Sequence, residues 1–383
     1  MMLRRCCCLL IVIVVLARCG ETASTVVPPT IALAQGATAT TPPTTKPTAE
    51  PTATTPPTIA PSATPEPTAT LLPTATPEPL VSLAVVGDLM LARSIGDRIT
   101  SAGPDAPLAA VRDELAAADL TIGNLETAIG TDGVPAPKAY VFLAPPASAQ
   151  TLQGAGFDVV SLANNHSLDW GEAALNETFA SLDAAGIAYV GAGNNDAAAH
   201  APVVLERNGL RLAFLAYVDV PVERGGFVTE SWTAGADSAG VAWAEPARIA
   251  QDVAAIRPTV DHVIILLHSG YEGQDTPNAE QRAAADAALR AGATLVLGAH
   301  PHVLQGVEQR GGQLIAWSLG NFVFDGFAGT PSVNSAILHL TLDRDGVRDY
   351  RWSPVQLVDG FPVPLDPATD GAAILENLAR LSR

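Results

Sequence analysis

The 383-residue chain is acidic, with 39 Asp and Glu against 21 Lys and Arg and a formal charge of −18. Residues 1–80 carry four acids and four bases, so the whole excess falls on residues 81–383, where 35 acids face 17 bases and Lys138 is the sole lysine. Such a domain repels nucleic acid and anionic membrane, and because all four cysteines (Cys6, Cys7, Cys8, Cys19) lie in the first nineteen residues, the remainder can hold neither a disulfide framework nor a thiolate metal site.

In chain order, residues 1–19 read as a signal peptide or lipoprotein-type leader. Arg4 and Arg5 precede an apolar stretch from Cys6 to Ala17, which at twelve residues is short of the ~20 needed to cross a bilayer. Cys19 closes "LARC", which resembles a bacterial lipoprotein box, although Arg18 stands where that pattern wants a small residue. Lipidation at Cys19 would anchor the chain at the outer face of the membrane. A cleaved, secreted form and an uncleaved anchor are the alternatives, and all three export the protein. Residues 20–80 read as a disordered stalk: within 28–79 there are 14 Pro and 16 Thr and no aromatic residue. A polyproline II conformation would give it a reach on the order of 150 Å.

From Leu83 the pattern changes. Apolar runs at 83–88, 120–126, 158–166, 188–193, 211–218, 262–270 and 294–302 predict buried strands. Helices are expected at about 107–119, 171–186, 246–257 and 278–292, the last capped by Gly292. Asn208–Gly209 marks a hairpin, and the turns at Gly311–Gly312 and Asp345–Gly346 point to antiparallel strands towards the C-terminus. The expected fold is α/β (α+β) with a mixed sheet, occupying 81–360 and followed by a helical extension at 361–383.

Five predicted strands end in the same way. At or just past the carboxyl end stand Asp88, Glu126, Asn165 with His166, His268, and His300 with His302. Each alone has a structural reading: a turn residue, a cap, a core histidine. The shared layout points to one polar site at the strand ends. His300 and His302 flank Pro301, and imidazoles at i and i+2 of extended backbone point the same way. Carboxylates, an amide and imidazoles suit Mn, Fe or Zn, and so many ligands suit two divalent metal ions bridged by a carboxylate, which would bind a phosphate.

Residues 82 to about 360 resemble the CapA family, named for poly-gamma-glutamate capsule synthesis, which is itself similar to the calcineurin-like metallophosphatases. The resemblance rests on "GDLMLAR", "GNLETAI", "FDVVSLANNHSLDWG", "GIAYVGAG", "HSGYEG", "GATLVLGAHPHVLQ" and "SLGNFVF", in that order. It implies a metallophosphoesterase-like four-layer αββα sandwich. It also implies Asp88 and His302 as ligands of a first metal, Glu126 as the bridge, and Asn165, His268 and His300 as ligands of a second. His166 would protonate a leaving group, Asp169 would orient His166, and Arg93 would face a substrate anion or form a structural ion pair. Met90 stands where the phosphatases have a further histidine, so one first-metal ligand is missing. Ser269 replaces a common tryptophan, and Tyr271–Glu272 reverses the usual order. The expected function is an exported metal-dependent hydrolase acting on a phosphoester or related bond in an envelope polymer. The alternative is a non-catalytic protein that binds or hands over an anionic polymer through its metal site, with capsule-synthesis membrane proteins as partners. A domain that binds no metal is the third reading. "SLGNFVF" is expected to serve core packing that supports the site, with Asn321 reaching into the site as the alternative.

Overall fold

A computed structural model of the chain describes residues 78–329 and 331–382. The leader, Cys19 and most of the stalk lie outside the described residues. Among those described, no helix is long and apolar enough to cross a membrane.

Two sheets form the frame. The larger runs, in spatial order, Phe361–Pro364, Gly346–Val358, Asn334–Asp343, Val81–Leu89, Leu120–Leu125, Phe157–Ser161 and Ala188–Val190, with Asn321–Val323 pairing alongside Val81–Leu89. Its last four strands are parallel, and the C-terminal hairpin joins them antiparallel. The smaller sheet runs Val307–Arg310, Gln313–Ala316, Leu295–Ala299, His262–Ser269, Leu210–Asp219 and Val203–Arg207. Its inner four strands are parallel. Its edges are hairpins turning at Gly311–Gly312 and Asn208–Gly209, and Asn208 (φ 50°) and Gly209 (φ 81°) have the left-handed backbone that such a turn requires.

Side-chain alternation on the smaller sheet shows the layering. Leu212, Phe214, Ala216, Leu266 and Leu297 point into a core shared with Leu83, Val85 and Ile122 of the larger sheet. Their neighbours Ala213, Leu215, Tyr217, Ile265 and Val296 pack on the helices Pro246–Ile256 and Ala279–Ala291. The helices Arg93–Ala102, Ser148–Gly154 and Gly171–Ala185 cover the larger sheet. The result is the expected four-layer αββα sandwich.

Several expectations shift in detail. Only Arg112–Leu115 of the predicted helix 107–119 is helical, because the segment presents Leu108, Val111 and Leu115 to the core through successive turns. The helices Arg93–Ala102 and Ser148–Gly154 were not anticipated. In the segment 361–383, Phe361–Pro364 is a strand of the larger sheet and only Ala372–Leu381 is helical, packed by Ile374 and Leu378 against Leu304 and Ala336.

Gly87 makes one close approach that the site depends on. A Cβ there would lie 1.8 Å from the carbonyl oxygen of Gly320. Its absence lets Asp88 N–H donate to that carbonyl at 2.9 Å and brings Asp88 level with Asn321.

Candidate metal centre

The parallel strands of both sheets end at one edge, and the chemistry collects there. Asp88 closes Val81–Leu89, Glu126 follows Leu120–Leu125, Asn165 and His166 follow Phe157–Ser161, His268 ends its own strand, and His300 and His302 follow Leu295–Ala299. All seven side chains are buried, with Asp88 and Glu126 fully so. The structure therefore brings together every metal-ligand candidate read from the sequence, with His166 among them.

Glu126 is the hub. Its Oε1 lies 3.8 Å from His268 Nε2, 3.8 Å from His302 Nε2 and 3.9 Å from His166 Nε2. Neither of its oxygens has a hydrogen-bond partner, and His300 Nδ1 is equally unpartnered. Burial, then the neighbouring Asp88 carboxylate, hold the Glu126 carboxyl well above its ordinary range. An unpartnered buried carboxylate is costly unless a cation meets it. Two groups of donor atoms lie within 4.8 Å of one another: Glu126 with His300 and His302, and Glu126 with Asp88 and His268. They share Glu126. They also pair His300 with His302 and Asp88 with His268, a different division from the one the family resemblance implies.

Two of the imidazoles are prepared as neutral donors. Burial first, then the neighbouring imidazoles, push the pKa of His268 and of His300 well below the ordinary value. His302 goes the other way: burial lowers it, but the Asp88 carboxylate, 3.4 Å from Nδ1, outweighs burial. His268 Nε2 also lies 2.8 Å from Asn165 Oδ1.

The backbone around Pro301 differs from the extended form expected. His300 has φ 96° and His302 φ 54°, both in the left-handed region. The strand stops at Ala299 and the chain reverses, so a turn rather than strand alternation aims the two rings. Such conformations in non-glycine residues persist only where the surroundings hold them, and they gather at functional sites.

Three further amides orient the candidate ligands, and two of them, Asn124 and Asn164, are absent from the sequence reading. Asn124, level with Asp88 in the sheet, donates to its Oδ1 at 2.8 Å and lies 3.1 Å from His268 Nδ1. Asn164 donates to Leu125 O and accepts the backbone N–H of His166. Asn321 follows the alternative reading rather than the packing one, with its Oδ1 2.8 Å from His302 Nδ1. An uncharged amide beside an apolar run carries no signal of its own. Its role depends on cross-strand register.

His166 Nδ1 lies 2.7 Å from Asp169 Oδ2, and its ring stacks on Phe142 at 4.2 Å. Behind this pair sits Lys138, its side chain fully buried. Its Nζ is 2.7 Å from Asp169 Oδ1 and 2.6 Å from Glu223 Oε1, donates to Asn165 O, and faces the Trp232 ring at 4.9 Å. Sequence reasoning noted Lys138 only as the lone lysine, because its partners lie up to 85 residues away.

His166 and His302 open onto a cleft of about 200 Å³, with Arg93 in its wall. Arg93 forms an ion pair with Asp325 at 2.6 Å and lies over Phe142, so it is both a structural partner and a lining group. Met90 is fully buried, and its sulfur accepts the Ala92 N–H at 3.3 Å.

Residues 82–326 match the family model described as bacterial capsule synthesis protein PGA_cap. The chain is 29% identical over 289 residues to the PGA biosynthesis protein CapA of Bacillus subtilis, covering 75% of this chain and 74% of that one. It is 29% identical over 308 residues to the capsule biosynthesis protein CapA of Bacillus anthracis, covering 78% and 73%. Among solved structures it is similar to a phosphatase from Mycoplasma pneumoniae, with a TM-score of 0.47 and 14% identity, covering 76% of this chain and 96% of that one.

Proposed function

The chain belongs to the bacterial capsule synthesis protein family PGA_cap, and from that premise we propose that it is an exported envelope protein whose site holds two divalent ions and hydrolyses a phosphoester-type bond in, or attached to, an anionic polymer. The carrying observation is Glu126, buried with both oxygens unpartnered and ringed by imidazoles. The residues present fit such a pair of ions: two carboxylates, an amide oxygen and three imidazoles, with no thiolate, suit Mn, Fe or Zn. The apolar leader and Cys19 support export and anchoring at the outer membrane face.

Asp88, Glu126, His302, His268, His300 and Asn165 would hold the ions, which when bound polarise a phosphoryl oxygen and lower the pKa of a water. The chain's own residues do the rest. Asp169 accepts the Nδ1–H of His166 and so leaves Nε2 facing the cleft, where the imidazolium form can give its Nε2 proton to a leaving oxygen. Phe142 fixes the ring plane. Lys138 fixes Asp169. Arg93 stands in the cleft wall, where it can meet the anion of a substrate.

Met90 favours a second reading. A buried thioether stands where a further histidine would complete the first ion's ligands, which suits an ion that anchors an anionic polymer for transfer to capsule-synthesis membrane proteins without turnover. One experiment separates the two. The full chain, reconstituted with Mn, is analysed for metal and assayed on bis(p-nitrophenyl) phosphate. About two equivalents of metal and turnover that disappears in His166→Ala while metal remains would support the hydrolase. Metal without turnover supports the anchor. No metal after reconstitution sinks both.

A further inference from the structure

The candidate centre does not lie at the bottom of one pocket. On one side is the cleft of about 200 Å³ onto which His166 and His302 open, with Phe327 in its wall. On the other side a groove of about 400 Å³ opens onto His300, walled by Val222 and Tyr271. Arg224 and Glu272 belong to both walls, so the two spaces meet at those side chains.

The position of Arg224 is built rather than incidental. It sits in a tight turn in which Glu223 N–H donates to Phe227 O and Gly226 N–H to Glu223 O, both at 2.9 Å. Gly225 (φ 103°) and Gly226 (φ 88°) supply the backbone that this turn needs. The turn is fixed at its base by Glu223 on the buried Lys138, and through Lys138 on Asp169. Arg93 is held by Asp325, whereas Arg224 is exposed at the junction of the grooves. In a domain as acidic as this one, a guanidinium carried on a held turn at the junction of two grooves and beside the centre is a local site for anions. The grooves around it are partly apolar, with Tyr271 62% and Val222 57% exposed.

We propose that an anionic polymer lies across the centre and fills both grooves, so that the protein engages an interior segment of the chain rather than a free end. The proposal rests on the part of the proposed function that makes an anionic polymer the ligand. A γ-linked glutamate chain has the matching chemistry: a free carboxylate on each residue for Arg224, and methylene stretches for Tyr271 and Phe327. Glu272 opposes such a ligand, and its removal strengthens binding.

The test is calorimetric titration of the full chain, loaded with Mn, with γ-linked glutamate dimer, tetramer and octamer. The octamer is expected to bind about tenfold or more tighter than the dimer, and to be weakened by Tyr271→Ala, Phe327→Ala and Arg224→Gln alike. The dimer, filling one groove, responds to only one of Tyr271→Ala and Phe327→Ala. Glu272→Gln tightens the octamer. Affinity that does not grow with length, an octamer sensitive to one groove alone, or no binding at any length overturns the proposal. Length-dependent binding without phosphodiester turnover would sink the hydrolase reading and leave this one standing; turnover with a flat length response would do the reverse.

Discussion

Asn321 Oδ1 accepts the Nδ1–H of His302 at 2.8 Å, and the other end of the amide fixes that assignment, because Nδ2 donates to Ser332 O at 3.0 Å. The tautomer of His302 follows. Nδ1 carries the proton, and Nε2 presents its lone pair toward Glu126. Asn321→Ala is therefore expected to leave the fold intact and to weaken metal binding about 10–100-fold, measured by competition with a chelator. Unchanged affinity would show that Asp88 alone, 3.4 Å from the same nitrogen, orients the ring.

Lys138 carries a second prediction. Lys138→Met leaves Asp169 and Glu223 buried around a neutral side chain. Breaking a buried ion pair from one side costs about 3–5 kcal/mol, read as a shift in the urea unfolding midpoint. Lys138→Arg keeps the charge and should recover part of that loss. A Met variant as stable as the parent would mean that the ammonium contributes no net stabilisation.

Glu126 should trade stability for binding. Without metal at pH 7, Glu126→Gln is expected to be more stable than the parent by about 1–3 kcal/mol, since an amide is cheaper to bury there than a carboxyl between Asp88 and three imidazoles. With Mn at a thousand times its dissociation constant the parent alone gains about 4.1 kcal/mol, and the order reverses. Parallel unfolding curves with and without Mn check this. An order that never reverses argues against metal ligation by Glu126.

The same groups set a pH optimum for the metal-free protein. His268 and His300 are held below 6.5, so as pH falls below that value the unfolded chain takes up two protons that the fold refuses. Their stability is present above about pH 6.5 and is lost in acid. Glu126 is held above 4.5 and His302 above 6.5, so their contributions are present at low pH and are lost as pH rises through the folded values. His262 acts with the first pair and Asp219 with Glu126, which leaves the signs unchanged. Stability in the presence of a chelator is therefore expected to pass through a maximum, falling in acid as His268 and His300 take up protons in the unfolded chain and falling again as pH rises through the folded values of Glu126 and His302. A steady rise to pH 8 would contradict it.

The frame and the ligands were legible because both rest on local pattern. Buried parallel strands show as continuous apolar runs, and a titratable residue closing such a run stands out. Asp88, Glu126, His268 and His300 were found in that way, and the sheet edges brought them together. The helix Arg93–Ala102 was missed because only Ile95, Gly96 and Ile99 are buried, and no side chain caps its start. The curl around Pro301 was missed because nothing in "GAHPH" distinguishes an extended strand end from a left-handed turn. The orienting amides and the tie between Lys138 and Glu223 depend on pairing across strands and loops, which a linear sequence does not display.

The burial of Lys138 also decides how this protein can be labelled. Primary-amine reagents have two lysine targets in the whole sequence, Lys46 and Lys138. The second is shut behind Asp169 and Glu223 and under an indole. Modification at Lys138 would thus require the turn that carries Arg224 to lift away. The rate at which an amine-reactive probe accumulates there is a single-residue clock for how often the mouth of the site opens.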